Sequence, residues 1–235
     1  QRAALEAERA FTAAAAHELR SPVADIAARL DSLRRAPDLP DALRDDIDAL
    51  ALAAARLSRL SGQLLLLSRL DRAAHGESFP TSRCDLNEIA RDTVDFCRAA
   101  ADAKSVVLSL NTAAAAELDG HEEWLLRAVY NVVQNAVKYA PAGSEVRVMV
   151  EEAADGSRYA VTVTDEGPGI PPEERARVTD KFYRGSRTRQ IEGTGLGLAL
   201  ATDVMRAHGG ELNVTDGPGG RGTRVTLVVP AGRRL

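Results

Sequence analysis

Aromatic side chains are scarce in this chain: one Trp, four Tyr and four Phe make up 4% of its 235 residues. Its core must therefore be built from aliphatic side chains. Cysteine is nearly absent as well. Cys84 and Cys97 are too few for a disulfide framework and too far apart for a C-x-x-C motif, so both are expected to be buried, reduced thiols of a cytosolic compartment. The chain has no dense Lys/Arg block and carries a net charge of −4, which gives no electrostatic footprint for nucleic acid and predicts no nucleic-acid partner. No run approaches the roughly 18 apolar residues that span a bilayer, and no signal peptide opens the chain, so a soluble piece is expected. An initiator Met is also missing. Gln1 stands already in helical sequence, which reads as a fragment, and an upstream membrane-anchored region would fit. With 45% hydrophobic and 27% charged residues the chain is expected to fold, and its length suits two domains.

From Leu5 to Leu33 apolar residues recur at seven-residue spacing: Leu5, Leu19, Ile26 and Leu33, with Ala16, Val23 and Leu30 alongside. This is the stripe of a long amphipathic helix, which Pro37 and Pro40 end. A second stripe follows, Leu43, Leu50, Leu57 and Leu64, until the polar stretch from Ala73 to Ser82. Two helices of this kind bury too little of each other, so a second copy of the chain is expected to complete a two-fold symmetric four-helix bundle. Beyond Arg83 the texture becomes α/β. Residues 86–103 and 121–139 read as helices, and alternation predicts strands at Val106-Leu108-Leu110, Val146-Val148-Val150, Tyr159-Val161-Val163, Leu212-Val214 and Val225-Leu227-Val229. Residues 167–195 show no sustained period, and a loop of that length inside a compact domain is usually functional.

Four constellations carry candidate chemistry. In His17-Glu18-Leu19-Arg20-Ser21-Pro22 the histidine lies about 200° around the helix from Leu19, so it should be exposed. A neutral imidazole is a nucleophile near pH 7, and Glu18 could accept its proton. From the residues alone, a surface His before a tolerated Pro reads equally well. Asn131, Asn135 and Lys138 run along one helix edge beside the apolar set Leu125, Val129, Val132 and Ala136. Two amides and an ammonium there suit Mg²⁺ and phosphates, although a solvated polar edge gives the same pattern. Asp165 continues the inward parity of its strand, and a buried carboxylate needs a donor such as an adenine amino group, unless it only caps the next turn. Gly167 and Gly169 would let backbone approach a flat base. Last, Gly193-Thr194-Gly195-Leu196-Gly197 opens a helix running to about His208, where amides can face a phosphate, and Lys181 and Arg184 in the loop upstream offer two cations.

Taken together, HELRSP, NVVQNAVKY, DEGPGI, KFYRG and GTGLGL resemble, in order, the phosphoacceptor box, N box, first glycine box, F box and second glycine box of sensor histidine kinases. The resemblance covers nearly the whole chain. It implies a fold of α plus α/β class: residues 1–73 a dimerising helical hairpin, 74–82 a linker, and 83–235 an α/β sandwich ATP-binding domain of the Hsp90, gyrase and histidine kinase type. It implies that His17 accepts a phosphoryl group from ATP with Glu18 as base. Asn131 and Asn135 would hold Mg²⁺, Lys138 and Tyr139 would contact the nucleotide, and Asp165 would read adenine. Gly167, Gly169, Gly193, Thr194, Gly195, Leu196 and Gly197 would shape the pocket and its lid, with Lys181 and Arg184 near the phosphates. The implied partners are a second copy and a response regulator whose aspartate takes the phosphoryl group. The implied setting is the cytoplasmic side of an inner-membrane protein. Where many members carry Thr or Asn four residues after the histidine, this chain has Ser21, whose hydroxyl keeps phosphatase activity toward the partner among the expectations. A nucleotide-holding scaffold and a gyrase- or Hsp90-type ATPase are the rival readings.

Overall fold

The computed structural model describes residues 21–36, 40–74, 76–188, 191 and 193–231. The chain parts into two compact units between Arg72 and Ala73. His17 and Glu18 lie outside the described residues, as do Leu5 and Leu19 of the first stripe.

The first unit holds two helices, α1 over residues 21–34 and α2 over Asp41–Ala74. Val23 and Leu30 of α1 are buried, as are Ala54, Leu66, Leu67 and Leu70 of α2. Arg34 Nε sits 2.8 Å from Asp48 Oδ1 and ties the end of α1 to α2. The heptad stripe itself faces outward. Ile26, Leu33, Leu43, Leu50 and Leu57 are each about half exposed, between 48% and 56%. By length and average composition alone, Ala42–Ala74 is apolar enough to cross a bilayer. Alanine and leucine raise the average there without forming an unbroken apolar run.

In the second unit a short antiparallel ribbon pairs β1 (Ser82–Asp85) with β3 (Glu117–Gly120). A five-stranded mixed sheet runs β2-β4-β5-β7-β6, built from β2 (Val107–Asn111), β4 (Glu145–Glu152), β5 (Arg158–Thr164), β6 (Glu211–Asp216) and β7 (Thr223–Pro230). Only the β2–β4 pairing is parallel. Three helices cover it: α3 (Leu86–Ala103), α4 (Glu122–Tyr139) and α5 (Gly197–Ala207), with α4 packed against both neighbours. The alternation in sequence has a direct physical result. Val146, Val148, Val150, Tyr159, Val161, Val163, Val225, Leu227 and Val229 are all buried under the helices. Each contributes about 1.5–3 kcal/mol by leaving water, which lets aliphatic residues carry a core nearly free of aromatics. In β2 the alternation is shifted: Val106 is buried just before the strand, while Leu108 and Leu110 are only half-buried at the sheet's edge.

Local chemistry sets the helix ends. Asp85 caps α3 by accepting from the Asn87 amide at 2.8 Å. Helix α4 opens with Glu122 and Glu123 and stops before Pro141. The residue that caps its start is held in an unusual way: the His121 amide donates to His208 Nε2 at 3.0 Å, and the other ring nitrogen lies 2.8 Å from the Val204 carbonyl. A ring nitrogen that accepts must be unprotonated, so the proton resides on Nδ1 and is donated to Val204. Phe79 closes this corner, with its ring 4.7 Å from Trp124 and 5.3 Å from His208. Part of the stretch expected as linker therefore packs with the sandwich. Both cysteines are buried free thiols, and burial pushes Cys97 up to about 11.

Candidate functional site: a groove along helix α4

Asp165 follows β5 and is 7% exposed. Its Oδ1 accepts from the Gly167 amide at 2.7 Å and from the Thr223 amide at 3.2 Å, while its own amide donates to the Thr223 carbonyl. Burial raises its pKa, and the two backbone donors oppose that rise without cancelling it. Among the described residues no donor reaches Oδ2. The carboxylate is thus fixed by one oxygen, and the other is a charged acceptor able to take a hydrogen bond from a ligand donor.

Three glycine segments border successive turns of α4. A Cβ on Gly167 would fall 2.9 Å from the Tyr139 carbonyl, one on Gly193 would fall 2.7 Å from Lys138 Nζ, and one on Gly197 would lie 3.4 Å from both Asn131 Oδ1 and Asn135 Nδ2. The edge that bears Asn131, Asn135, Lys138 and Tyr139 is therefore faced along its length by backbone without side chains. Only residues without a side chain let the loop backbone pack this closely on the helix. Gly169, with φ +70, continues the Asp165 turn and approaches the Gly222 carbonyl.

Asn131 is buried and its Nδ2 donates to the Arg127 carbonyl at 2.7 Å, which turns Oδ1 toward Gly197. A half turn of the Asn135 amide would bring its oxygen to the same side. No cluster of three or more His, Cys, Asp or Glu that could hold a metal occurs among the described residues. A divalent cation here would have to take amide oxygens and complete its shell with phosphate oxygens, and the Asn131 and Asn135 donors fit a hard ion of that kind.

The remaining candidates are spread along the long loop. Lys181 Nζ lies 3.7 Å from Asp203 of α5, and Arg184 donates to the Ile191 carbonyl at 2.7 Å. Thr194 Oγ1 accepts from the Leu196 amide at 3.3 Å, and the Leu196 side chain is wholly buried, so it anchors the start of α5 in the core. Gly195 has φ +71, and a Cβ there would meet the backbone of Phe182 and Tyr183 at 2.7 Å. Phe182 itself has φ +66 and is 62% exposed, with its amide bonded to the Gly195 carbonyl. Ser21 is exposed on α1.

Sequence reasoning passed over several residues that hold this site. Arg187 donates to the Pro168 carbonyl at 2.6 Å, and Glu174 accepts from the Ser186 amide at 3.0 Å, so the loop read as irregular is tied back on itself at two points. The hydrogen bonds from Ser186 hold the Glu174 carboxyl below its usual pKa. Gly222 lies so close to the Asp165 carbonyl that a Cβ would overlap it. The glycine-rich run before β7 was the available signal for it, but nothing local in that run points to Asp165.

A two-layer sandwich with a buried carboxylate at one end of a glycine-bordered helix edge defines an ATP-binding domain. Residues 120–233 match the family model for histidine kinase-, DNA gyrase B- and HSP90-like ATPases, and residues 7–73 match the model for the His Kinase A phospho-acceptor domain. The sensor protein kinase PmrB of Pseudomonas aeruginosa is 35% identical over 235 residues, covering 97% of this chain and 47% of that protein. Among solved structures, the mycobacterial sensor histidine kinase MprB is 31% identical with a TM-score of 0.59, covering 66% of this chain and 100% of that one. Full-length ShkA in complex with AMPPNP is 26% identical with a TM-score of 0.77, covering 96% of this chain and 46% of that one. The chain belongs to the sensor histidine kinases. It spans about half the length of the curated relatives it matches.

Proposed function

We propose that this chain is the catalytic core of a dimeric kinase that transfers the terminal phosphoryl group of ATP to its own His17 and then to an aspartate of a response regulator. The observation that carries the proposal is the meeting of Asp165 with the α4 edge and three glycine segments, in a chain whose residues 7–73 match the phospho-acceptor family model. Residues 1–73 act as the dimerising hairpin, 74–82 as the linker and 83–235 as the catalytic domain. The half-exposed stripe of Ile26, Leu33, Leu43, Leu50 and Leu57 supports a second copy as partner, because these side chains find no cover in one chain. Membrane attachment, as an inner-membrane protein with this core in the cytoplasm, would come from segments outside this chain.

Asp165 accepts the adenine amino group through Oδ2, and Gly167 and Gly169 let the base lie against backbone. Lys138 and Tyr139 flank the nucleotide, Gly193 to Gly197 line its phosphates, and Lys181 and Arg184 move to them from their present partners when the loop closes. Asn131 and Asn135 would hold Mg²⁺, which supplies charge neutralisation to the phosphates. An imidazole nitrogen of His17 attacks the terminal phosphorus as the bond to the bridging oxygen breaks, ADP leaves, and Glu18 takes the imidazole proton. The aspartate of the regulator later attacks the same phosphorus as the P–N bond breaks, and His17 takes back a proton and returns to the neutral imidazole. Ser21, four residues on, orients water when the partner is dephosphorylated.

Incubation with Mg·ATP labelled at its terminal phosphate tests the reading. Acid-labile labelling of the chain that disappears in His17→Gln is expected. Binding without labelling points to the scaffold, and released phosphate without labelled protein to the ATPase; either result refutes the kinase.

A further inference from the structure

The geometry assigns Lys104, which belongs to none of the sequence boxes, as the residue that positions the nucleotide-contacting turn of α4. Its ammonium donates to three carbonyls at the end of that helix: Val137 at 3.0 Å, Lys138 at 2.7 Å and Ala140 at 2.9 Å. An α-helix leaves its last carbonyls without partners, and here the shortage is aggravated. The residue four beyond Val137 is Pro141, which has no amide hydrogen to give. Ala140 already leaves the helix with ψ 137, while its amide returns to the Ala136 carbonyl. One ammonium with three donors supplies what the backbone lacks, at the negative end of the helix dipole.

Lys104 is itself held in place. It is the C-cap of α3, with its amide bonded to Ala101, and the next residue, Ser105, adopts φ 57 so that its carbonyl receives the Gly143 amide at 2.8 Å. The Val107 amide then donates to the Ser144 carbonyl at 2.9 Å. The chain leaving α3 and the chain leaving α4 are thus stitched together just beyond the ammonium.

The turn so fixed carries two contacts of the groove. The Tyr139 carbonyl is the surface against which Gly167 packs, and the Gly167 amide orients Asp165 Oδ1. Lys138, whose carbonyl Lys104 grips, brings its own ammonium to Gly193 and over the Tyr139 ring at 4.9 Å to the centroid. Release of the three carbonyls lets this turn fray, which shifts the base-reading corner and the Lys138 ammonium together. Lys104 is a positioning residue, since it acts on nucleotide only through these groups.

The assignment rests on the groove being an ATP site, and its test separates the two ideas. ATP dissociation constants, together with KM and kcat for autophosphorylation, are measured for the whole chain and for Lys104→Met, Lys104→Gln and Lys104→Arg, at a temperature where each is folded by circular dichroism. Removing the ammonium is expected to raise both Kd and KM about tenfold with kcat changed less than about twofold, and Arg, which keeps charge and donors, to restore most of the affinity. A staple that served stability alone would lower the melting temperature and leave Kd and KM unchanged in folded protein. That result, or a fall in kcat at constant Kd, overturns the assignment. If the Met variant does not fold, the Gln variant, with two donors and no charge, is judged by the same criterion. If the unchanged chain binds ATP without labelling a histidine, the kinase reading fails while the Kd comparison still judges Lys104; if it binds no ATP, both fall.

Discussion

Replacing Asp165 by Asn separates affinity from stability. The variant keeps the shape of the side chain, and an amide oxygen can still accept from Gly167 and Thr223 as Oδ1 does at 2.7 and 3.2 Å. The atom left over changes sign, from a carboxylate oxygen that accepts to an NH₂ that donates. Against an adenine amino group this removes a charge-assisted hydrogen bond of about 1.5–3 kcal/mol and leaves two donors facing each other. At about 1.4 kcal/mol per tenfold, ATP binding should weaken roughly 10- to 150-fold. The base preference should also shift, because a purine with a carbonyl in place of that amino group now meets a donor, so ITP should lose far less affinity than ATP. Stability should move the other way. Burial raises the Asp165 pKa above its unfolded value, so the ionised form is disfavoured in the folded state. That contribution favours folding below the unfolded pKa and is lost as pH rises through the folded one. The neutral Asn removes this cost, and the ligand-free variant should melt at pH 7 no lower than the unchanged chain. Calorimetric titration with ATP and ITP, alongside thermal melts, measures both. Unaltered ATP affinity in folded Asp165→Asn protein would refute the reasoning.

The remaining predictions concern the far corner of the sandwich and the hairpin. Burial lowers the His208 pKa, so its neutral form is favoured when folded; its contribution is present above the unfolded pKa and is lost as pH falls through the folded one. Protonation also sets two donors against each other at His121, so melting temperature should drop as pH falls below about 6.5, and His208→Gln should flatten that dependence. Leu50→Glu with Leu57→Glu places charge on half-exposed leucines, and sedimentation equilibrium should show the dimer weakened at least about a hundredfold while ATP binding by the sandwich is unchanged. A dimer that survives the double substitution would mean that the stripe is not the interface.

What the sequence determined by itself is whatever depends on spacing along the chain. A helix repeats every 3.6 residues and a strand every two, so the core faces of α4, β4, β5 and β7 follow directly from their apolar positions. Asn131, Asn135 and Lys138 share a helix edge for the same reason, and the inward direction of Asp165 follows from strand parity. The ribbon of β1 and β3 was not legible, because four-residue strands such as SRCD and ELDG are too short to show a period. The five-strand order, with its single parallel pair at β2, was not legible either. Nor was it apparent that Lys181 sits by Asp203, that Arg187 holds the first glycine turn, or that Lys104 closes α4. In each of these the partners are separated in sequence by a distance that no local period encodes. Only the folded backbone brings them together, since a hydrogen bond is decided by where two groups meet in space, and residue type states merely that each needs a partner.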